Sequence, residues 1–135
     1  MSMDLILWRH AEAEDLDETE DGGSTDLSRR LTPKGERQAS RMAAWLDRQL
    51  PEGVKIYCSP AVRTEQTVIA LGRKYRVRDE LRPDGASGDL LTLAQWPEGR
   101  QPVLVVGHQP TLGQTVAQLL NLQASECSIR KGAVW

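Results

Sequence analysis

Leu5-Ile6-Leu7-Trp8 is an apolar run that stops abruptly in Arg9 and His10. A short continuous apolar run so near the start of a chain reads as a buried strand of a parallel sheet. In open α/β sheets, ligands bind just beyond the carboxyl ends of such strands, where Arg9 and His10 stand. A guanidinium can grip phosphoryl oxygens in a fork, and an imidazole nitrogen can attack phosphorus. An Arg-His pair also arises by chance in many proteins, so the reading depends on whether the chain supplies partners for this chemistry.

A second apolar run, Val103 to Val106, is broken by Gly107-His108. His10 and His108 are the only histidines in the chain, and both follow a predicted strand. A third predicted strand, Val54 to Cys58, alternates Val54, Ile56 and Cys58 against Lys55 and Tyr57. It leads into Ser59-Pro60, which reads as a helix start, with Arg63 in the first turn. Neighbouring parallel strands would bring both imidazoles and both arginines to one edge of the sheet.

The other elements follow from capping and periodicity. Thr32-Pro33 opens a helix, Thr32 as cap and Pro33 in the first turn. Ala39, Met42, Ala43, Leu46 and Leu50 then form one apolar face, and Pro51 and Gly53 end it. The helix after Ser59-Pro60 is expected to run to about Leu71, with Gly72 as its stop. Tyr75 to Val77 reads as a short strand, and Asp79 to Gly88 as a loop. Leu90 to Trp96 reads as a short helix halted by Pro97. Pro110 to Leu120 reads as a helix with Leu112, Val116, Leu119 and Leu120 inward, and Ala133 to Trp135 as the beginning of a strand. Strands alternating with helices predict a mostly parallel sheet covered on both faces, a three-layer α/β/α arrangement.

The 135 residues fit one domain, residues 1–135. Hydrophobic residues are 39% and charged residues 27%, enough apolar matter for a core. Aromatics are 4% with no Phe, so Leu, Val, Ile and Ala are expected to fill that core. A net charge of -2 argues against a general nucleic-acid binder. No apolar run approaches the roughly 20 residues of a membrane span, and no signal peptide is recognisable. Cys58 and Cys127 are read as reduced, buried thiols of a cytoplasmic protein, with one disulfide as the alternative.

The segment from Glu12 to Leu27 is acidic and rich in Gly, Ser and Thr, and reads as an exposed, solvated loop. A carboxylate-lined metal site there is the sharper alternative. Other residues have plain readings too. His108 could be a core histidine, Arg63 a surface residue paired with a nearby glutamate, and Asp26 and Arg29 partners of each other. A metal centre on His10 and His108 lacks the spacing of known ligand motifs, and the glycines do not form a Walker-type loop.

Arg9-His10-Ala11-Glu12-Ala13 resembles the signature of the histidine phosphatase superfamily, in the variant frequent among its SixA-type phosphohistidine phosphatases. Ser59-Pro60-Ala61-Val62-Arg63-Thr64-Glu65-Gln66-Thr67 resembles the second motif of that family. Gly107-His108-Gln109-Pro110 resembles the third, and Glu80 the acid position. The segment from Asp26 to Gly35 is similar to the SixA-type stretch before the first helix.

The resemblance implies a phosphoglycerate-mutase-like fold and a hydrolase that needs no metal or other cofactor. It implies that His10 is the nucleophile and forms a covalent phosphohistidine, and that Arg9, Arg63 and His108 hold the phosphoryl oxygens. Glu80 would protonate the leaving group and then act as a base toward water. Asp26 and Arg29 become candidate substrate contacts. Relatives usually continue past the segment matching Gly132-Ala133-Val134, so a chain ending at Trp135 is expected to carry an incomplete last strand.

The intervals from Arg63 to Glu80 and from Glu80 to His108 leave no room for a helical lid. An open pocket favours a phosphoryl group carried on a protein, as phosphohistidine on a partner domain, with inorganic phosphate as product. Nucleic acid and membrane are not expected partners. A broad small-molecule phosphomonoesterase and a non-catalytic phosphate-binding module are the alternatives.

Overall fold

A computed structural model describes residues 5–15, 26–96, 99, 101–120, 131 and 134, without the side chain of Asp26. Its elements alternate as the apolar runs predict. They are β1 (Leu5–Arg9), α1 (Pro33–Gln49), β2 (Lys55–Cys58), α2 (Val62–Ile69), β3 (Arg76–Val77), α3 (Ser87–Leu93), β4 (Val103–Gly107) and α4 (Thr111–Leu119). Two 3-10 turns, Asp26–Ser28 and Asp79–Leu81, lie between them.

The strands form one sheet in the order β1-β4-β2-β3, and every strand pair is parallel. Val134 adds an antiparallel bridge to Trp8. That bridge is what the structure describes of the strand expected at Ala133 to Trp135.

Period-two alternation divides the core. Leu7, Val103 and Val105 face α3 and α4, where they pack with Leu90, Ala94, Leu112 and Val116. Trp8, Leu104, Val106, Ile56 and Cys58 face α1 and α2, where they meet Ala43, Leu46 and Val68. The result is the three-layer arrangement expected from the alternation of elements. Trp8, fully buried, stands within a core that is otherwise aliphatic.

The first helix begins as its capping residues dictate. Thr32 Oγ1 accepts the Gly35 amide at 2.9 Å, and Pro33 occupies the first turn. Ala39, Ala43, Leu46 and Leu50 are buried as expected, while Met42 is half-buried.

Several expectations are corrected. Helix α2 ends at Ile69, before Leu71, and the chain turns at Gly72, whose φ is 73°. Helix α3 spans Ser87–Leu93 and stops before Trp96, because Gln95 adopts a φ of 58° that no helix continues. Leu120 is 56% exposed, not inward. The buried face of α4 is Thr111, Leu112, Thr115 and Val116, which turns Leu120 to the outside. The stretch from Asp79 to Gly88 is not all loop, since it opens with a 3-10 turn and ends in α3.

The acidic segment does not begin as an exposed loop either. Ala11 and Ala13 are buried with Leu31 and Ala39, and Ala13 bridges to Leu31. Exposure begins at Glu14 and Asp15, and the expectation for 16–25 falls outside the described residues. Cys58 is a buried free thiol, pushed up to about 12 by burial, whereas Cys127 lies outside the described residues. Among the described residues, no helix is long and apolar enough to cross a membrane.

Candidate active site

Register decides which side chains meet. β4 lies between β1 and β2, and its last residue, Gly107, is opposite Arg9, while Val106 is opposite Cys58. One residue further on, His10 lies beside His108, while Ser59 falls beside Gly107 and reaches His108 through its side chain. The ladder reaches its final rungs here: the His10 amide donates to Gly107 O at 3.1 Å, and the Ser59 amide to Val106 O at 3.1 Å.

The two imidazole centroids are 5.3 Å apart, and the rings are tilted by 55°. Arg63, on the first turn of α2, is buried and places Nη2 3.3 Å from His108 Nδ1. A guanidinium only donates, so His108 Nδ1 accepts. The ring proton of a neutral His108 is then on Nε2, which donates to Ser59 Oγ at 2.6 Å. Arg63 is thus an interior residue and not one of the helix surface.

His10 has the opposite tautomer. Its Nδ1 lies 2.7 Å from Ala11 O, and a carbonyl oxygen only accepts. Nδ1 carries the proton, and the Nε2 lone pair is free. Burial, reinforced by the charges of Arg63, Arg9 and Arg29, pushes His10 down to about 4, against the upward pull of the Ala11 carbonyl. At neutral pH the ring is uncharged and nucleophilic.

The remaining expected residues are placed less centrally. Arg9 ends β1 and is partly buried. Arg29 Nη1 donates to Glu14 O at 3.1 Å, and its charge is felt at His10. Asp26 opens a 3-10 turn, and its side chain is outside the described residues. Glu80 lies on the rim of a surface cleft of about 650 Å³, shared with Leu27, Asp79, Arg82 and Asp84. Its Oε2 accepts Arg78 Nη2 at 2.9 Å. Its own main-chain N–H and Arg78 hold the carboxyl below the ordinary glutamate value, so it is ionised at neutral pH.

Three residues that sequence reasoning left without a site role belong to this framework. Ser59, expected to start a helix, accepts from His108 instead; the cap position of α2 is Ala61. Thr67 Oγ1 accepts the Ala11 amide at 3.1 Å and donates to Arg63 O at 2.7 Å. Gln38 Oε1 accepts the Glu12 amide at 3.1 Å. Thr67 stands one helical turn after Arg63, a spacing that signals a shared face. Among the described residues, no three His, Cys, Asp or Glu side chains cluster closely enough to hold a metal ion.

Residues 5–84 match the family model described as "Histidine phosphatase superfamily (branch 1)". The chain is 34% identical over 125 residues to phosphohistidine phosphatase SixA of Escherichia coli, covering 87% of this chain and 74% of that protein. It is 29% identical over 132 residues to a SixA homolog of Haemophilus influenzae, covering 87% of this chain and 77% of that one. The structure of a protein histidine phosphatase SixA complexed with tungstate superimposes with a TM-score of 0.78 at 29% identity. That match covers 98% of this chain and 85% of that one.

Proposed function

Because the chain belongs to the histidine phosphatase superfamily, we propose that it is a phosphatase of protein phosphohistidine, working through a covalent phosphoryl group on His10. The observation that carries this reading is the pairing of the two rings: an uncharged His10 with its Nε2 lone pair free, 5.3 Å from His108 across adjacent strand ends.

In the first step, His10 Nε2 attacks phosphorus, and the bond from phosphorus to the substrate nitrogen breaks as that imidazole takes a proton from solvent. In the second, water attacks the phosphoryl-His10 and gives a proton to Glu80, the bond from phosphorus to Nε2 breaks, inorganic phosphate leaves, and the Nε2 lone pair is restored. Arg9 and Arg63 neutralise the non-bridging oxygens. His108 exchanges the Ser59 hydroxyl for a phosphoryl oxygen as acceptor of its Nε2–H. Positioning and charge supply most of the acceleration in such transfers. Glu80, ionised beside Arg78, suits the base step toward water better than the acid step. An imidazole leaving group needs little acid help. Arg29 and Asp26 border the approach on this reading.

The short intervals around Glu80 support an open pocket and a protein-borne substrate. The same reading makes residues 1–135 a single domain and puts the enzyme in the cytoplasm, where phosphohistidine domains are its partners. Further support comes from the SixA relative held with tungstate, another tetrahedral oxyanion.

The test compares turnover of a phosphohistidine-bearing domain, a sugar phosphate and an aryl phosphate by wild type and His10→Ala. Preference for the protein substrate is expected, with a loss on the order of a thousandfold or more in the variant. Preference for sugar phosphate would reject the substrate class. Full activity of His10→Ala would reject the covalent step. Phosphate binding without turnover by either protein would indicate a binding module.

A further inference from the structure

His10 is useful as a nucleophile only in one of its two uncharged forms. A neutral imidazole has one ring proton, and the nitrogen that lacks it is the one that attacks. Here Nδ1 keeps the proton because it donates to the Ala11 carbonyl oxygen at 2.7 Å. That carbonyl must point at the ring, and of the three consecutive peptides around it one is held by α2 and two by α1.

The peptide before it is held by α2: the Ala11 amide donates to Thr67 Oγ1 at 3.1 Å. The peptide after it is held by the start of α1: the Thr32 amide donates to Glu12 O at 3.0 Å, and Thr32 Oγ1 donates to the Glu12 carboxylate at 3.1 Å. The peptide between them contains the Ala11 carbonyl and the Glu12 amide. That amide donates to Gln38 Oε1 at 3.1 Å.

A trans peptide is planar, so its C=O and N–H point in opposite directions, and fixing one aims the other. Donating the N–H also polarises the amide and makes its carbonyl a better acceptor. Gln38 reaches this amide because Gly35, one turn earlier on α1, allows the helix to touch Glu12. A Cβ at Gly35 would overlap the Glu12 carbonyl oxygen.

We infer that Gln38 is a positioning residue for the nucleophile, fixing through the Glu12 amide the Ala11 carbonyl that keeps His10 in the Nδ1–H form. The inference rests on the reading of His10 as nucleophile, but its primary readout is independent of turnover. Without Gln38 the carbonyl is free to swing from the ring. The Nε2–H form, which free imidazole side chains favour, then gains population and cannot attack.

Nitrogen-15 NMR of the histidine rings in the full chain distinguishes the two forms. Wild type is expected to show His10 with a protonated Nδ1 and an unprotonated Nε2 at pH 7.5. Gln38→Leu, which removes the acceptor at similar size, is expected to show averaged nitrogens. Its kcat on an aryl phosphate should fall roughly five- to tenfold with KM unchanged, the size of one neutral hydrogen bond. Gln38→Glu retains an acceptor oxygen and should keep the wild-type pattern. Gln38→Ala, favourable in a helix, replaces the Leu variant if that one unfolds.

A wild-type pattern in a folded Leu or Ala variant overturns the inference, whatever the activity. Averaged nitrogens in Gln38→Glu overturn it as well. Absence of turnover in wild type with the expected nitrogen pattern overturns the phosphatase reading and leaves the role of Gln38 standing.

Discussion

At the scale of single residues, the site combines two histidines in opposite tautomers, each set by a partner that can act in only one direction. Ala11 O forces the proton onto His10 Nδ1, and Arg63 Nη2 forces it off His108 Nδ1. One consequence is measurable in stability. His10 is pushed down to about 4 in the folded chain from an ordinary 6.5, so the unfolded chain takes up the proton first as pH falls. Stability is full above pH 6.5 and declines toward pH 4, by about 3 kcal/mol from this residue alone. Urea unfolding of wild type and His10→Gln at several values across that window checks it. The decline should be shallower in the variant, and equal slopes would refute the depressed value. His10, His108, Arg9 and Arg63 were legible in the chain because three apolar runs end in them or just before them. Ser59, Thr67 and Gln38 were not assigned, since each acts on a group remote in sequence, and two of them on a main-chain amide that no residue pattern encodes.

At the scale of elements, α1 and α2 clamp the segment that follows His10. The contact with α1 depends on Gly35. Alanine in a helix interior is ordinarily favoured over glycine by about 1 kcal/mol. Here its Cβ would meet the Glu12 backbone, which has no rotamer by which to move aside. Gly35→Ala is therefore expected to destabilise the chain by about 1–3 kcal/mol and to lower kcat, by displacing the peptides that aim His10. Thermal unfolding and aryl phosphate turnover check both effects, and a raised midpoint would show that the segment yields freely. Element types were readable from period and caps. Boundaries were less so. Leu120 looks inward by hydrophobicity, yet α4 buries Thr111 and Thr115 instead. Thr115 can be buried because its hydroxyl donates to Thr111 O at 2.8 Å, and Thr111 donates to Gly85 O at 2.7 Å. A threonine satisfied in this way behaves as a small apolar residue, and composition does not distinguish it from an exposed one.

At the scale of the molecule, β4 is the strand on which everything converges. It is buried along its length, pairs with β1 and β2, and offers alternate side chains to both helical layers. Leu104 is fully buried in the layer that faces α1 and α2. Leu104→Ala should cost about 3 kcal/mol and lower the melting midpoint by roughly 10 °C. Calorimetry of the two proteins checks this, and a change under 1 kcal/mol would mean that the layer closes over the gap. The same centrality ties stability to function, because the strand that holds the sheet together also presents His108.

Local chemistry within the chain determined much of this protein. Apolar runs made the strands, Thr32 and Pro33 started the first helix, and the alternation of elements dictated a covered, mostly parallel sheet. The motifs placed the chain in its family. Only the tertiary structure decided that β4, last of the four described strands, lies between the first two. Strand order is a matter of pairing between segments far apart in sequence, joined by crossovers that constrain handedness but not neighbour choice. That one choice puts His108 between His10 and Ser59.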